Sequence, residues 1–310
     1  MNDKFKATLV ITTRNRVDEL RNAIASALAQ TIPLEIIVLD DASTDGTAEA
    51  VRSEFPEAIL VVESERQGYI RLRNKGAAMA KSPIIISIDD DAVFTTPRIV
   101  EQTLAEFDNP RVGAVAIPFV NVNTSPEVKQ RAPDEKELYV INMYIGTAHA
   151  LRRDIFLRLG GYREFFEHQG EEPDYCIRML DAGYIVRLGR EDVIHHLASP
   201  KRDLSRMHFY GTRNSVLLVW CNFPTPWVYW RMLRTILGNL LYAARIGAVG
   251  IKSSAVLAGL RDCVRFRAQR HPIRPATYHL LTQISGGPMR LEDVEKALPP
   301  LDIVSQAARS

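Results

Sequence analysis

Within residues 7–88 of the 310-residue chain, short apolar runs alternate with helical patterns, and this alternation restricts the possible folds most. The runs predict strands at about 7–12, 34–40, 58–63 and 83–88, separated by helices at about 17–29, 47–54 and 70–80. Strands linked by helices favour an α/β fold: a Rossmann-like, mostly parallel sheet with helices on both faces. Because such sheets bind ligands at the carboxyl ends of their strands, we expect the functional site at that edge.

Three aspartates, Asp89, Asp90 and Asp91, stand directly after the fourth predicted strand. The isoleucine-rich run before them is typical of a strand that is buried on both faces. Adjacent carboxylates repel each other, so three of them at a strand end indicate a site for a hard divalent cation. Since such cations usually act on phosphates, we expect a ligand that carries phosphate. The alternative is a solvated acidic turn.

Asp40 and Asp41 stand at the end of the second predicted strand. An ionised carboxylate only accepts hydrogen bonds, which suits the imide N–H of a uracil or thymine ring. We therefore expect Asp41 to contact a nucleoside base. The alternative is that both residues only turn the chain before a helix that Ser43 to Gly46 cap.

Cations and a glycine mark the next junction between a loop and a helix, at Arg66, Gly68 and Arg73. Arginine pairs well with phosphate, and glycine allows a ligand to approach the backbone closely. Basic residues on a helix also often form only a solvated face. This segment therefore supports a nucleotide site without establishing one.

The stretch from about 93 to 200 has a less regular pattern. It predicts strands near 112–119 and 143–151, and helices near 97–106, 153–159 and 174–182. No internal repeat is found in it. This stretch continues the α/β fold without extending its simple alternation.

The charge of the chain is unevenly distributed. Residues 1–200 carry 23 Lys and Arg against 31 Asp and Glu, whereas residues 201–310 carry 16 against 6. Arginines also interrupt the apolar runs of residues 206–290 before these reach the roughly 18 residues of a membrane span. We expect a basic, mostly helical C-terminal region that either packs on the core or lies on an anionic membrane surface. Nucleic acid is not expected as a partner, because no binding motif accompanies the basic residues.

The three cysteines, Cys176, Cys221 and Cys263, have no C-x-x-C spacing. Their odd number argues against a disulfide framework or a structural zinc site. The N-terminal apolar run, residues 7–11, is too short for a signal peptide. We therefore expect a cytoplasmic protein, peripheral at the inner face of the cell membrane if the C-terminal region binds lipid.

Five motifs in order resemble glycosyltransferase family 2, whose inverting enzymes have the GT-A fold. Four of them are V-I-T-T-R-N at 10–15, V-L-D-D-A-S-T-D-G-T at 38–47, R-N-K-G at 73–76 and I-D-D-D at 88–91. The fifth, on the acceptor side, combines A-H-A-L-R-R at 148–153, G-G-Y at 160–162 and G-E-E-P-D-Y-C-I-R at 170–178. Each motif alone is weak, but their order and spacing over residues 7–215 make the resemblance specific.

The resemblance implies a glycosyltransferase domain over residues 1–215, with a nucleotide-binding half at 1–92 and an acceptor-binding half at 93–215. Residues 216–310 would form the basic C-terminal region. The implied donor is a nucleoside-diphosphate sugar, and the implied acceptor is a hydroxyl of a glycan or a lipid-linked glycan. Such a reaction belongs to polysaccharide biosynthesis. The implied nucleotide-binding residues are Thr12, Arg14, Asp41, Arg73 and Asp89.

The resemblance also implies Mg²⁺ or Mn²⁺ as the cofactor, because the family's D-x-D pattern falls on Asp89 and Asp91. The cation would neutralise charge on the leaving diphosphate. Enzymes with this fold often take a third metal ligand from a histidine after a later strand, which is His195 here, with His196 as its substitute. A single histidine is more often structural. Asp90, at the middle position of the pattern, is the remaining candidate ligand of the aspartate triplet.

An inverting transfer needs one base, which in the family is the aspartate of a Glu-Asp pair. Glu171 and Glu172 stand at that place here, so the predicted base is Glu172, with Glu171 and Asp174 as alternatives. Pro173 suits the first turn of a helix, which puts these acids at its positive end. They could also only cap that helix, and Asp174 would then pair with Arg178.

Two other functions are alternatives to a glycosyltransferase. A non-catalytic nucleotide-sugar-binding module would share the fold, although the intact aspartate triplet and Glu171-Glu172 pair argue against it. A sugar-1-phosphate nucleotidyltransferase would need a glycine-rich phosphate loop near the N-terminus, which this sequence lacks. Near the end of the matched segment, Arg213 and Asn214 resemble a late family element beside the diphosphate.

Overall fold

The computed structural model describes residues 5–197 and 203–301, so the outer bounds of the predicted domains, residues 1 and 310, lie outside the described residues. The strands are β1 (Ala7–Thr13), β2 (Leu34–Asp40), β3 (Ile59–Val62), β4 (Ile84–Ile88), β5 (Ala92–Phe94), β6 (Val112–Ala116), β7 (Phe119–Asn121), β8 (Ser125–Lys129), β9 (Tyr139–Ile141), β10 (Ala148–Arg152), β11 (Ile185–Leu188), β12 (Ile194–His196) and β13 (Met289–Arg290). The α-helices are α1 (Val17–Leu28), α2 (Thr47–Glu54), α3 (Tyr69–Met79), α4 (Ile99–Ala105), α5 (Arg153–Arg158), α6 (Glu171–Asp181), α7 (Leu204–Asn222), α8 (Trp227–Ile246), α9 (Val249–Arg265), α10 (Pro275–Ile284) and α11 (Leu291–Val294).

The main sheet contains, within the described residues, nine strands in the order β13-β9-β11-β6-β10-β4-β1-β2-β3. The predicted parallel core is confirmed, since β1 pairs in parallel with β2 and β4, and β2 with β3. Strand β10 runs antiparallel between β4 and β6. Every residue of β2 and β4 is buried, as expected of strands that are covered on both faces.

Side chains of β1 alternate between two hydrophobic cores, one on each face of the sheet. Leu9 and Ile11 belong to the core that also contains Ile24 of α1. Val10 belongs to the opposite core, together with Ile70 of α3. This alternation follows from the two-residue period of a strand. It leaves the carboxyl ends of β1, β2 and β4 at one edge, between the helices.

A smaller sheet has the order β5-β12-β7-β8. Strand β5 begins at Ala92, directly after the aspartate triplet, and pairs antiparallel with β12. In this register, Ala92 faces His196 and Val93 faces His195. The small sheet therefore brings the two histidines next to the end of β4.

The C-terminal region is mostly helical, but it is also joined to the main sheet. Strand β13 pairs with β9 at the edge of that sheet, and α10 contributes Leu280 and Ile284 to the core beside α1. Helix α7 begins before residue 215, so it spans the predicted boundary. Among the described residues, no helix combines the length and the apolar character that crossing a membrane requires.

Candidate active site

A cavity of about 630 Å³ opens at the carboxyl ends of β1, β2 and β4, where the α/β pattern predicts a ligand. Most of the side chains that the sequence singled out line it: Thr12, Arg14, Asp41, Arg73, Asp89, Asp91 and Glu172. The described residues that line the cavity do not include Glu171, Asp174 or His195.

Asp89, Asp91 and His196, here called the Asp-Asp-His cluster, meet at one end of the cavity. One ligand atom from each residue lies within 4.8 Å of the other two. Nε2 of His196 lies 3.1 Å from Oδ1 of Asp91 and 3.7 Å from Oδ2 of Asp89. Two carboxylates and an imidazole suit a divalent cation such as Mn²⁺ or Mg²⁺. His195, the histidine predicted first, is exposed instead, and its substitute His196 joins the aspartates.

Asn121 of β7 orients the His196 ring. Its Oδ1 lies 2.6 Å from Nδ1 of His196. Because an amide oxygen only accepts hydrogen bonds, Nδ1 carries a proton, and in the neutral ring the lone pair of Nε2 points to the aspartates. Such a partner fixes both the tautomer and the direction of a histidine that binds a metal.

Arg16 contacts the aspartate triplet, which the sequence did not predict. Its Nη1 lies 3.0 Å from Oδ1 of Asp90 and 2.7 Å from Oδ2 of Asp91. Burial raises the pKa of Asp90 to about 7, although Arg16 and a hydrogen bond from Thr13 oppose this. Burial acts on Asp91 in the same direction. A His196 ring protonated at both nitrogens, and then Arg16, outweigh it and lower the pKa of Asp91. Asp90 is thus held by β1 and Arg16, whereas Asp89 and Asp91 face the cavity end with His196.

At the other end of the cavity, Asp41 is buried and accepts hydrogen bonds from two backbone N–H groups. The N–H of Gln67 lies 2.6 Å from Oδ1 of Asp41, and the N–H of Gly68 lies 3.2 Å from it. Asp40 faces away from this site and accepts a hydrogen bond from the N–H of Ser43 at 3.0 Å. Asp40 therefore turns the chain, and Asp41 is the aspartate of the pair that lines the cavity.

Glu171 and Glu172 begin α6, and Glu171 is buried whereas Glu172 is half-buried. Glu172 reaches the cavity, and its Oε1 lies 3.7 Å from Nη1 of Arg73. Burial raises the pKa of Glu172, and the charge of Arg73 only partly offsets this. Glu171 is fully buried, and neither of its carboxyl oxygens has a hydrogen-bond partner among the described residues. Burial, reinforced by the charge of Glu172, raises the pKa of Glu171 well above its usual value.

Arg73 connects the two ends of this arrangement. Its Nη2 donates to Oδ1 of Asp89 at 2.9 Å and to the carbonyl of Gly146 at 3.1 Å. Burial alone would lower the pKa of Arg73, but the charges of Asp89 and Glu172 raise it. Gly146 lies so close that an added Cβ would overlap Oε1 of Glu172 and approach Nη1 of Arg73 to 2.8 Å. A side chain at this position would therefore displace the carboxylate of Glu172 or the guanidinium of Arg73.

Asp174, an alternative candidate for the base, is fully buried away from the cavity. Its carboxylate lies 2.8 Å from Nη1 of Arg163 and 3.0 Å from Nε of Arg178. The side-chain amide of Asn222 in α7 donates a third hydrogen bond at 2.8 Å. The predicted pairing with Arg178 is therefore present, and Asp174 ties α6 to α7.

Three cations line the cavity, at Arg14, Arg66 and Arg206. Burial and the nearby charges of Arg206 and Arg14 lower the pKa of Arg66. Burial, Arg206 and Arg66 likewise lower the pKa of His168 to about 4. The mutual repulsion of these groups marks a site that would favour an anion.

Arg213 and Asn214 do not line the cavity, although the described loop that they hold does. The side-chain amide of Asn214 lies 2.7–2.8 Å from the carbonyl oxygens of Phe166, His168 and Gln169. Nε of Arg213 donates to Oδ2 of Asp262 in α9 at 2.8 Å, and both side chains are buried. These residues connect the C-terminal helices to the segment that leads into Glu171.

The chain is similar in sequence to known proteins. Residues 8–163 match the family model described as Glycosyl transferase family 2. The O-antigen chain rhamnosyltransferase WbaN of Salmonella anatum is 26% identical over 245 residues, covering 71% of this chain and 73% of that protein. The glucosyl-dolichyl phosphate glucuronosyltransferase of Haloferax volcanii is 28% identical over 220 residues, covering 62% of this chain and 69% of that protein.

Among solved structures, the mannosyltransferase PcManGT from Pyrobaculum calidifontis, in complex with GDP-Man and Mn²⁺, is similar with a TM-score of 0.57. The similarity covers 92% of this chain and 85% of that one, at 21% sequence identity. At this level of identity the comparison bears on the fold alone. It confirms the predicted GT-A fold.

Proposed function

This chain belongs to glycosyltransferase family 2, and we propose that it is an inverting enzyme that uses a nucleoside-diphosphate sugar. The observation that carries the proposal is Arg73, whose guanidinium contacts Glu172 on one side and Asp89 on the other. The buried guanidinium of Arg73 would thus hold Glu172, the candidate base, at a fixed place relative to the Asp-Asp-His cluster.

In the proposed complex, the nucleoside lies at the end of the cavity formed by Thr12, Arg14 and Asp41. Free acceptor capacity on Asp41 suits an imide N–H, which favours a uridine or thymidine diphosphate. The cations Arg66 and Arg206 line the same cavity and suit the charge of a diphosphate. This assignment retains the division into a nucleotide-binding half at 1–92 and an acceptor-binding half at 93–215.

The family implies a divalent cation, Mg²⁺ or Mn²⁺, and the donor set fits it. Asp89, Asp91 and His196 would hold the ion, because their ligand atoms converge and Asn121 leaves Nε2 of His196 unprotonated. When bound, such an ion supplies positive charge that stabilises a leaving diphosphate. The Mn²⁺ in the PcManGT complex supports this choice.

Glu172 is the proposed base. Its carboxylate would accept the proton of the acceptor hydroxyl while that oxygen forms a bond to the anomeric carbon of the sugar. The bond from that carbon to the diphosphate breaks, and its electron pair leaves with the diphosphate oxygen. Arg73 would keep Glu172 oriented, and the partial burial of Glu172 raises its pKa and so favours its role as a base. Glu171 lies behind it, and Asp174 is occupied by two arginines.

We further propose a glycan or lipid-linked glycan as the acceptor, with the protein peripheral at the inner face of the cell membrane. The names of the two relatives refer to an O-antigen chain and to glucosyl-dolichyl phosphate, which supports this class of acceptor. The basic C-terminal region supports the membrane location.

A thermal-shift screen of nucleoside diphosphates and their sugars, with and without Mn²⁺, tests the donor assignment. We expect one nucleotide to raise the melting temperature, and the rise to be larger with Mn²⁺. Slow, metal-dependent hydrolysis of the same donor without acceptor would show a catalytic site. Binding without hydrolysis or transfer would instead support the non-catalytic module, and failure of every nucleotide to stabilise the protein would contradict the proposal.

The variant Glu172→Gln tests the base. It should abolish transfer while the thermal shift caused by the donor nucleotide survives, because glutamine keeps the shape but cannot accept the proton. Glu171→Gln is the matched control, since it changes the neighbouring acid that does not line the cavity. Near-normal turnover of Glu172→Gln would exclude Glu172 as the base.

A further inference from the structure

The outward side of α8 exposes a row of large apolar residues. Tyr229, Leu233, Leu237 and Leu241 follow one another at intervals of four, so they lie along one side of the helix. Between 48% and 66% of each residue is exposed. Trp230 stands beside this row and is 61% exposed. Helix α8 has 20 residues, so the row extends along most of a helix of about 30 Å.

Helix α9 adds to the same kind of surface. Its Val249, Leu257, Leu260 and Val264 are exposed, whereas Ala255 and Val256 are buried. On α8 the buried residues are Val228 and Ala243. Both helices therefore pack through one side, and the large apolar side chains named above remain exposed among the described residues. We call these exposed residues of α8 and α9 the α8–α9 face.

The exposed charges on these two helices are of one sign. Arg234, Arg245, Arg261 and Arg265 are exposed, and Arg245 continues the four-residue row that begins at Tyr229. Asp262 is the single acidic residue in the two helices, and it is buried in an ion pair with Arg213. An apolar surface edged by arginines without exposed acids complements a surface that is both apolar and anionic.

We propose that the α8–α9 face docks onto an anionic lipid bilayer, with the leucines and Trp230 in the interface and the arginines at the phosphate level. The proposal deepens the membrane location given above and rests on it, but it does not depend on the transfer chemistry. Tyrosine and tryptophan favour this depth, because they combine an apolar ring with a polar group. A second copy of the chain is a poorer partner, since pairing this face with itself would bring arginines against arginines.

Co-sedimentation with lipid vesicles tests the proposal. The protein should bind vesicles of phosphatidylcholine mixed with phosphatidylglycerol, and bind vesicles of phosphatidylcholine alone much more weakly. Raising the salt to about 1 M, where the Debye length is about 3 Å, should release most of the bound protein. Equal binding to both kinds of vesicle, or no binding to either, would overturn the proposal.

The double variant Leu237→Glu with Leu241→Glu locates the surface. Each of the two substitutions should weaken vesicle binding about tenfold, because it replaces a leucine that would insert into the bilayer interface with a charged residue. Leu28→Glu is the matched control, since Leu28 is an exposed leucine on α1, and it should bind like the unchanged protein. Arg234→Gln with Arg245→Gln should weaken binding to the anionic vesicles alone.

Fluorescence gives a second readout that does not depend on sedimentation. Trp230 is exposed, whereas Trp220 and Trp227 are half-buried, so a blue shift on adding anionic vesicles should disappear in Trp230→Phe. Unchanged circular dichroism and nucleotide binding would show that the variants fold. A dimer in vesicle-free buffer that Leu237→Glu dissociates, together with absent vesicle binding, would assign the face to a second copy and refute the proposal.

Discussion

Nη1 of Arg16 lies 2.7 Å from Oδ2 of Asp91. The same nitrogen lies 3.0 Å from Oδ1 of Asp90, so one guanidinium offsets the repulsion between neighbouring carboxylates. Asp91 also belongs to the Asp-Asp-His cluster. Arg16 holds Oδ2 of Asp91, whereas His196 faces Oδ1. A cation bound to this cluster would therefore share Asp91 with Arg16, and the two positive charges would compete for the carboxylate.

We predict that Arg16→Gln destabilises the metal-free protein by about 1–3 kcal/mol, because it leaves buried carboxylates without their partner. The same variant should show a larger rise in melting temperature with Mn²⁺ than the unchanged protein. Thermal melts with and without MnCl₂ measure both effects. The control is Arg21→Gln, whose ion pairs with Asp18 and Glu54 are exposed and should contribute little. An unchanged Mn²⁺ response in Arg16→Gln would contradict the competition.

His196→Ala should weaken Mn²⁺ binding by at least about tenfold, because it removes the nitrogen that faces Asp89 and Asp91. His195→Ala is a control one residue away, and its affinity should stay within about twofold, since His195 is exposed. Titration of the protein with Mn²⁺, followed by the electron paramagnetic resonance of the free ion, measures both affinities without an activity assay. A greater loss of Mn²⁺ affinity in His195→Ala than in His196→Ala would show that His196 is not the histidine ligand.

Gly146→Ala should lower kcat about 100-fold, because the new Cβ would displace the carboxylate of Glu172 and press on Arg73. The thermal shift caused by the donor nucleotide should change little. Gly238→Ala on α8 is the control, because an added Cβ there meets nothing within 4 Å. Steady-state kinetics of both variants check the prediction, and normal turnover in Gly146→Ala would show that Glu172 need not hold its present place.

Glu191→Gln should make the stability of the protein less dependent on pH. Burial raises the pKa of Glu191 from 4.5 to about 8, with Glu106 acting in the same direction and Thr103 and Arg187 opposing it. The folded protein therefore holds this proton more tightly than the unfolded chain does. This contribution to stability is complete below about pH 4.5 and is lost as the pH rises toward about 8.

Urea unfolding at about pH 5 and about pH 8 measures the effect of Glu191→Gln. At the lower pH the variant should resemble the unchanged protein, and at the higher pH it should be more stable by a few kcal/mol. Glu127→Gln, at an exposed position in β8, should leave the pH dependence as it was. A variant that loses stability equally at both pH values would contradict this account.

Local patterns predicted the first half of the fold well. The predicted bounds of β2 and α2 are those of the structure, because the apolar run of β2 ends in polar residues and Gly46 directly precedes α2. The predicted strand at 143–151 is shorter in the structure, where β10 begins at Ala148. Gly146 lies in the preceding loop, which passes between Glu172 and Arg73, and a contact between distant segments of this kind leaves no local pattern.

Side chains at the cavity were predicted where a residue follows directly from a strand end, as for Asp41, Asp89 and Asp91. The choice between His195 and His196 depended on a strand register, since adjacent strand residues point to opposite faces. That register is set by pairing with β5, which the sequence pattern did not reveal. Asp174 is held by partners from a loop and from α7, and such long-range pairs are not visible in a single sequence.

The contact of Arg16 with the aspartate triplet could have been predicted from its position in the sequence. Arg16 follows β1, and the parallel pairing of β1 with β4 brings the ends of the two strands together. The loop after β1 must therefore lie near residues 89–91, and an arginine in it is a natural counterion. The motif at residues 10–15 drew attention to Arg14, which lines the cavity instead.

The pairing of β13 with β9 has a consequence for shortened forms of the chain. Met289 and Arg290 occupy the outer side of β9, which would otherwise present free backbone N–H and C=O groups at the border of the main sheet. Exposed borders of this kind recruit other chains and cause aggregation. Removal of the helices after α9 together with β13 would therefore not yield a well-behaved, monomeric shortened protein. It would yield a protein whose sheet is open to intermolecular strand pairing.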